Sequence, residues 1–227
     1  MKAALAELIG TFTLVFIGAG AGALAAKSGG IVGMALAHGL ALMVIVYTWG
    51  SISGAHVNPA VTLGAALTGR VNGAVAVVYW ICQFVGGIAA AFLLAYLIGT
   101  SDGLGETIGS LTPGVKQSEA LASSGRTIIV EAVLTFFLMT SVFASGILNK
   151  NGNLAGVAIG LVLTMDIIMG GALTGGSMNP ARTLGPAFVL NWLKGDSMGY
   201  VWLYFVGPFL GSAVGAILYD RVFSKKD

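Results

Sequence analysis

Charged residues are scarce in this chain. Of its 227 residues, 11 are Lys or Arg and 9 are Asp or Glu, which together make 9% of the total. Soluble domains typically carry about a quarter of their residues as charged side chains. The formal net charge of +2 is also too small, and too scattered, to attract nucleic acid or an acidic partner. The scarcity excludes an ordinary soluble domain and a nucleic-acid-binding surface.

Cysteine and histidine are nearly absent, with one and two residues respectively. The single cysteine, Cys82, cannot form an intrachain disulfide, and its place within an apolar run predicts a buried structural thiol. The sequence shows no pairing of nucleophile and base, no cluster of metal ligands and no phosphate-binding loop. We therefore predict no enzymatic function, no cofactor and no bound metal.

Apolar runs dominate what remains. Hydrophobic residues make up 56% of the chain and the mean hydropathy is +0.92. A helix needs about 20 mostly apolar residues to cross a bilayer. Six runs meet this need, at residues 5–26, 31–49, 73–98, 127–148, 153–172 and 199–222. Because a counterpart of the first run recurs later, we interpret it as a retained helix and not a signal peptide. The composition predicts an all-α integral membrane protein.

The chain contains an internal duplication. The tripeptide Asn58-Pro59-Ala60 recurs as Asn179-Pro180-Ala181, 121 positions later, and the surrounding segments 54–64 and 175–185 are identical at seven of eleven positions. Each half contains three predicted membrane helices. Since three is odd, the two repeats must cross the membrane in opposite directions. We expect a single channel domain over 1–227, made of inverted repeats near 1–98 and 126–227 and joined by a loop over 99–125.

Each Asn-Pro-Ala box predicts the start of a short helix. Asparagine is a good N-cap and proline a favoured first helical residue. The segments 58–68 and 179–190 are too short to span a membrane but can reach halfway. Non-helical backbone at that depth is tolerated only where protein buries it or water meets it. We therefore expect two re-entrant half-helices that meet cap to cap at a water-filled lumen.

That meeting point has a definite chemistry. It brings together the side-chain amides of Asn58 and Asn179 and the positive ends of two helices. A water oxygen that accepts from both amides has its own hydrogens turned away, which interrupts a proton wire through the file. The same positive ends disfavour cations.

These features resemble the aquaporin (major intrinsic protein) family. The resemblance rests on the paired Asn-Pro-Ala boxes, on the strings AELIGTF around Glu7 and VEAVLTF around Glu131, and on SISGAHVNPAVTLG, and it covers nearly the whole chain. It implies a barrel of six helices with two half-helices, assembled as a homotetramer in which each protomer has its own pore. The implied activity is passive passage of water or small neutral solutes through the lipid bilayer.

The resemblance also assigns a selectivity ring. Counted from the two asparagines, its members are His38, Ile167, Gly176 and Arg182. This set is similar to that of plant tonoplast intrinsic proteins and related animal channels, which pass ammonia as well as water. A guanidinium stays charged at physiological pH, so Arg182 opposes ammonium and other cations. Some ammonia-conducting relatives carry a further histidine in the external loop, which residues 99–125 lack.

Three alternative functions remain open. A glycerol channel resembling this chain tends to have an aspartate directly after the arginine, where Thr183 stands here. A proton-coupled transporter could use intramembrane carboxylates such as Glu7 and Glu131. Their symmetric placement suggests instead that each accepts hydrogen bonds from an unwound loop. A structural junction protein needs an occluded pore, which the small Gly176 disfavours.

Two further polar residues are interpreted differently. We expect His56, two residues before the first cap, to hold the re-entrant loop and not to contact solute. Asp166 precedes the ring residue Ile167 but points about 100° away from it around the helix. It could orient His38 or Arg182 from behind, or face a polar vestibule.

Basic residues predict the orientation of the chain. Lysine and arginine favour cytoplasmic loops. With the N-terminus inside, the inner side carries Lys2, Arg70, Lys150, Arg221, Lys225 and Lys226, against Lys27, Lys116, Arg126 and Lys194 outside. This bias predicts both termini on the cytoplasmic side of the cell membrane and a solvated external loop over 99–125.

Overall fold

The structure, a computed structural model, describes residues 1–25, 29–100, 103–112, 120–196 and 198–224, apart from the side chains of 120–123. Within these residues, six helices are long and apolar enough to cross a membrane, as predicted. They are α1 Lys2–Ala23, α2 Gly30–Ser53, α4 Gly73–Ile98, α5 Ala120–Ser141, α6 Ala155–Thr174 and α8 Leu203–Leu218. The two shorter helices are α3 Pro59–Leu67 and α7 Pro180–Lys194.

Short irregular turns extend three of the long helices. A π-helical turn at Val142–Ile147 continues α5, and another at Tyr219–Phe223 continues α8. A 3₁₀ turn at Gly152–Leu154 leads into α6. All three lie toward the end of the molecule at which α8 finishes, where Lys150 donates a hydrogen bond to the carbonyl of Phe223.

The helices pack according to the internal repeat. Helix α1 packs on α4, and the equivalent α5 packs on α8, while α2 and α6 pack on each other across the two halves. Each short helix packs mainly on a long helix of the opposite half, α3 on α8 and α7 on α4. The half-helices therefore join the repeats and hold them in register.

Glycine sets the spacing of the closest helix pairs. A Cβ atom built on Gly39 would lie 2.5 Å from the carbonyl oxygen of Gly160, and one on Gly160 would lie 2.6 Å from that of Gly39. On the α5–α8 pair, a Cβ on Gly211 would lie 2.0 Å from the carbonyl oxygen of Ala132. Small residues allow such close packing in membranes, where lipid tails are as apolar as leucine.

Capping explains where the short helices begin. The side chain of Asn58 accepts a hydrogen bond from the backbone N–H of Ala60 at 2.8 Å. That of Asn179 accepts from Ala181 at 3.0 Å and from Arg182 at 3.3 Å. With proline at the first position, α3 has 9 residues and α7 has 15, both fewer than the about 20 that a crossing needs.

The connection between the halves differs from the prediction. Helix α5 begins at Ala120 and not at 127, so the connection is shorter than 99–125. Its described part, 103–112, is not a solvated loop, because Leu104 and Thr107 are fully buried. The backbone of this part pairs with the end of α6, where Ser110 and Leu111 donate to carbonyls at 3.0 and 2.8 Å. Asp102 and Glu119, counted as part of a solvated loop, lie outside the described residues.

Two smaller expectations also change. Cys82 is half-buried on α4 and not fully buried, since it faces partly outward from the helix bundle. Of the basic residues that set the predicted orientation, Lys27, Lys116, Lys225 and Lys226 lie outside the described residues.

The α5–α8 contact gives a direct test of the packing. We expect Gly211→Ala to lower the melting temperature of the detergent-solubilised protein, because the added methyl group meets a backbone oxygen that cannot turn away. Overpacking of this kind costs about 1–3 kcal/mol. The matched control is Gly125→Ala on α5, where a Cβ meets open space, and which should be neutral or stabilising by up to about 1 kcal/mol. Equal melting temperatures for both variants would contradict the close contact.

Candidate functional site

A cavity of about 890 Å³ lies between the helices. It extends from His38 and Arg182 to Arg70 and Asn149, near the end of the molecule that carries α8's final turn. Its middle section is lined by residues of both Asn-Pro-Ala loops and of α2 and α6, among them Val57, Asn58, Ser177, Asn179, Leu42 and Leu163. The cavity therefore passes the point where the two half-helices meet.

In the first half, a buried carboxylate organises the unwound loop. Glu7 of α1 has no exposed surface. Its two oxygens accept from the Ser53 hydroxyl at 2.6 Å, from the backbone N–H groups of His56 and Val57 at 2.9 and 2.6 Å, and from the Gln83 amide at 2.7 Å. Four donors from three segments thus converge on one side chain.

The second half repeats this arrangement. Glu131 of α5 is likewise fully buried. It accepts from the Thr174 hydroxyl at 2.7 Å and from the backbone N–H groups of Ser177 and Met178 at 3.0 and 2.7 Å. These contacts satisfy loop N–H groups that have no helical partner, as the bilayer interior requires.

The residues before the two asparagines are held from both sides. Val57 and Met178 adopt left-handed backbone angles, with φ of +43° and +53°. Their N–H groups bond to the carboxylates, and their carbonyl oxygens accept from the opposite asparagines. Asn179 Nδ2 donates to Val57 at 2.9 Å, and Asn58 Nδ2 donates to Met178 at 2.8 Å. Such angles cost about 1–3 kcal/mol for each residue, which the bonds on both sides offset.

Among the described residues, each asparagine amide nitrogen donates one hydrogen bond and keeps a second N–H without a partner. The oxygen of each amide caps its own half-helix, and one N–H reaches the opposite loop. An amide nitrogen carries two hydrogens. Asn58 and Asn179 are both on the cavity wall, so the second N–H of each is the group that can meet a molecule in the lumen.

Arg182 and His38 form one contacting pair of the expected ring. His38 Nδ1 lies 2.9 Å from the carbonyl oxygen of Met34, and Arg182 Nε donates to His38 Nε2 at 3.3 Å. A nitrogen that accepts carries no proton, so this arrangement describes a neutral imidazole protonated on Nδ1. Arg182 Nη1 also donates to the carbonyl oxygen of Gly105 at 2.6 Å.

Ile167 and Gly176 form the second pair. A Cβ on Gly176 would lie 3.3 Å from the Cα of Ile167, and the φ of +57° at Gly176 is one that favours glycine. Space for the imidazole comes from α1, because a Cβ on Gly18 would lie 2.3 Å from His38 Cδ2. All four expected ring residues are buried, and two of them, His38 and Arg182, line the cavity.

The remaining polar residues fall outside the ring. His56 Nδ1 lies 3.1 Å from the Thr62 hydroxyl, and the side chain also forms part of the cavity wall. Asp166 is 2% exposed, and its Oδ2 has no hydrogen-bond partner among the described residues. Within that part of the chain, His38 and Arg182 form no hydrogen bond with Asp166.

A tyrosine, Tyr200, lies close enough to Arg182 for their charges to interact. Burial raises the pKa of Tyr200 to about 12, and the negative charge of Glu106 adds to this shift. The phenol therefore stays neutral at physiological pH. It does not offset the positive charge of Arg182.

Sequence reasoning missed several groups at the site. The Gly105 carbonyl carries no side-chain signal, since any residue supplies a carbonyl. The crossed bonds from Asn58 and Asn179 depend on how close the two loops come, which spacing along the chain does not give. Gly18 belongs to a helix rich in small residues, and that pattern was the one signal available for it.

Six membrane helices and two half-helices that meet on one cavity define an integral membrane channel. The chain belongs to the aquaporin family: the family described as Major intrinsic protein matches residues 1–219. Aquaporin TIP2-1 of Arabidopsis thaliana is 39% identical over 98% of this chain and 88% of its own length. Aquaporin TIP1-2 of Zea mays is 39% identical over 98% of this chain and 86% of its own.

A solved structure agrees with the fold. The aquaglyceroporin from Plasmodium falciparum superposes with a TM-score of 0.84 at 25% identity, over 98% of this chain and 96% of that one. The fold is the six-helix aquaporin fold with two re-entrant half-helices. Members of this family are channels and not enzymes.

Mutation of Glu131 tests whether the second re-entrant loop depends on its carboxylate. We expect Glu131→Gln to destabilise the protein by about 1–3 kcal/mol, because the new amide nitrogen faces a loop N–H that loses its acceptor. Thermal unfolding in detergent measures the change. Asp196→Asn, which alters an exposed carboxylate near Lys194, is the control and should leave the melting temperature unchanged. If both variants melt like the wild type, the loop does not depend on Glu131.

The lone thiol predicts the response to mercurials. Cys82 is not among the residues that line the cavity, and Gly176 stands where some relatives carry a cysteine. We expect mercuric chloride to reduce water permeability of proteoliposomes by little. A Leu163→Cys variant, which places a thiol on the cavity wall, should become sensitive. Strong inhibition of the wild type that disappears in Cys82→Ser would overturn this expectation.

Proposed function

We propose that this protein is a passive channel for water and neutral ammonia that excludes protons and other ions. The observation that carries the proposal is the pair of free amide N–H groups on one cavity, placed where the N-termini of α3 and α7 meet. Polar donors beside apolar wall residues such as Leu42, Val57 and Leu163 favour a single file of small neutral molecules.

Proton exclusion follows from the same point. A water molecule that accepts from Asn58 and Asn179 directs its hydrogens away from both, so the hydrogen-bonded file reverses direction there. The positive ends of the half-helices and the charge of Arg182 raise the electrostatic barrier to any cation, as in aquaporin-type pores generally. Both effects oppose hydronium and ammonium but not their neutral forms.

Ammonia passage is supported by the composition of the ring. Ile167 supplies an apolar side chain at a proposed ring position, where a histidine would supply a hydrogen-bond donor. Ammonia has one lone pair, so it can accept from a guanidinium N–H of Arg182 that bonds neither His38 nor Gly105. Ammonium has no lone pair with which to accept and meets the arginine's charge. Two similar proteins, Aquaporin TIP2-1 and Aquaporin TIP1-2, carry aquaporin names and support the water component.

A glycerol channel is the second candidate. The fold match to an aquaglyceroporin favours it. Against it, Thr183 follows Arg182 where glycerol channels tend to have an aspartate, and the ring lacks the aromatic pair typical of those channels. Glycerol flux in the same vesicles separates the two candidates.

Proton-coupled transport has less support. A coupling carboxylate has to exchange protons with solvent during each cycle. Glu7 and Glu131 have no exposed surface, and each is occupied by loop and side-chain donors. Both therefore suit a structural role. A flux that depended on a proton gradient would favour the transporter.

We also propose a membrane location, an orientation and an oligomeric state for the protein. The protein is an integral membrane protein, and we place it in the cell membrane with both termini cytoplasmic, as a homotetramer with one pore in each protomer. Arg70 pairs with Asp220 at 2.8 Å in the final turn of α8, and Lys150 donates to the carbonyl of Phe223 in the same turn, so two of the predicted cytoplasmic basic residues lie at that end. Repeats near 1–98 and 126–227, with the connection between them outside, complete the arrangement.

Reconstituted vesicles test the proposed activity. We expect stopped-flow shrinkage in an impermeant osmolyte to be much faster than in empty liposomes, and an ammonium pulse to give rapid internal alkalinisation. The double variant His38→Phe with Ile167→His should retain fast water flux but show slower alkalinisation than the wild type, because the two changes narrow the ring and add a hydrogen-bond donor.

Each outcome has a distinct meaning. Fast water flux with alkalinisation no faster than in empty liposomes would leave a water channel without ammonia transport. Fast glycerol uptake by the wild type would favour the second candidate. Slow water flux in vesicles that contain correctly assembled protein would contradict the proposed function as a whole.

A further inference from the structure

The buried hydroxyl networks of the two halves differ in one respect. Thr62 and Thr183 occupy equivalent positions in the repeat, 121 residues apart, each on the first turn of a half-helix. In the first half, the Thr62 hydroxyl meets His56 Nδ1 at 3.1 Å and accepts from the Gln83 amide of α4 at 2.9 Å. Its partners thus come from the loop and from a membrane helix.

Among the described residues of the second half, no membrane helix supplies the Thr183 hydroxyl with a hydrogen-bond partner. The residue equivalent to Gln83 is Tyr204 of α8, and its hydroxyl donates to the carbonyl of Thr174 at 2.5 Å. Thr183 instead accepts at 2.9 Å from Thr107, which belongs to the connection between the halves. A departure from the repeat therefore ties an external segment to the half-helix that carries Arg182.

The hydroxyls form a chain with one direction. Ser177 donates to the carbonyl of Asn179 at 3.0 Å, so its single proton is used, and Thr183 must donate to Ser177 across their 2.5 Å contact. Thr107 in turn donates to Thr183. All three hydroxyl residues are almost fully buried. The chain runs without a break from the external segment to the second Asn-Pro-Ala box.

The same segment supplies a partner of the ring arginine. Gly105, two residues before Thr107, accepts from Arg182 Nη1 at 2.6 Å. Gly105 has a φ of +67°, and a Cβ there would lie 2.0 Å from the carbonyl oxygen of Ala19 on α1. The segment is thus wedged against α1 on one side and bonded to Thr183 on the other.

We propose that Thr107 and Thr183 are positioning residues that set the width of the ring by holding the Gly105 carbonyl against Arg182. The inference rests on the proposed role of Arg182 as part of the narrowest passage. Among the described residues, Arg182 side-chain hydrogen bonds reach His38 and Gly105 only, and the first is long at 3.3 Å. Loss of the Gly105 contact leaves the guanidinium free to move away from its place at the ring.

The expected signature is a change of selectivity and not a loss of flow. A ring whose arginine moves admits wider molecules for part of the time, while water passes in either case. The positive charge remains, so cations are still opposed. A protein that merely unfolds would instead lose water flux or leak ions.

The experiment compares permeability ratios in proteoliposomes. We expect Thr183→Val, which keeps the shape but removes the hydroxyl, to raise the ratio of glycerol to water permeability about three- to tenfold, as loss of one buried hydrogen bond implies. Thr183→Ser keeps the hydroxyl and should restore the wild-type ratio. Ion leak should stay at the wild-type level in both variants.

Two further variants exclude a general packing effect. Thr62→Val removes an equally buried hydroxyl from the other half and should lower stability without raising the ratio. Thr107→Val should act like Thr183→Val, and the double variant should be no worse than either single one, since both act through one contact. Amide hydrogen exchange of residues 103–112 should be faster in Thr183→Val than in Thr62→Val.

The outcomes separate this inference from the proposed function. If wild-type vesicles conduct water and reject glycerol but Thr183→Val has the wild-type ratio and exchange, the positioning role is wrong. Additive effects of Thr107→Val and Thr183→Val would also overturn it. If the wild type itself conducts no water, the proposed function fails, whereas the exchange comparison still tests whether Thr183 holds the segment.

Discussion

The whole site depends on two backbone units whose N–H and carbonyl groups are both hydrogen-bonded by side chains. Val57 and Met178 sit where helical hydrogen bonding stops inside the membrane, and their polar groups need protein partners. A carboxylate of the same half binds each N–H, and an asparagine of the other half binds each carbonyl. Because each half supplies what the other lacks, neither loop can hold its left-handed backbone alone. The positions of the caps, the direction of the amides and the shape of the lumen all follow from this mutual support.

The two halves share the residues that support the re-entrant loops and differ in the residues proposed for selectivity. Equivalent carboxylates, caps and half-helices recur in both halves, with Ser53 standing for Thr174 and His56 for Ser177. The ring does not recur: the position equivalent to Arg182 is Val61, an apolar residue on the cavity wall. Ring polarity is therefore concentrated at one end of the lumen. The residues that repeat build the passage, and the residues proposed to select what enters it are ones that break the repeat.

Much of this architecture could be predicted from the sequence because it rests on composition and local capping. Apolar length gave six helices, and Asn-Pro gave the two half-helix starts. The start of α5 could not be predicted, since residues 120–126 read ALASSGR and are too polar to extend an apolar run. The burial of Leu104 and Thr107 was missed for a related reason: glycine, serine and threonine suggest a solvated loop but equally allow close backbone packing. Tertiary contacts, and not local sequence propensity, determine both the start of α5 and the burial of Leu104 and Thr107.

The cavity reaches Arg70 and Asn149 at one end and His38 and Arg182 at the other. Its volume of about 890 Å³ is within the range that holds a drug-sized molecule, about 300–1,000 Å³. If Arg182 lies at the narrowest passage, as proposed, a molecule too large for that passage can still lodge in the cavity when it arrives past Arg70 and Asn149, but is stopped at Arg182 when it arrives from the opposite face. Flow through a passive pore follows the gradient equally in either direction. Its two faces nevertheless differ in what can plug them, so an obstructing compound would act from one side of the membrane only.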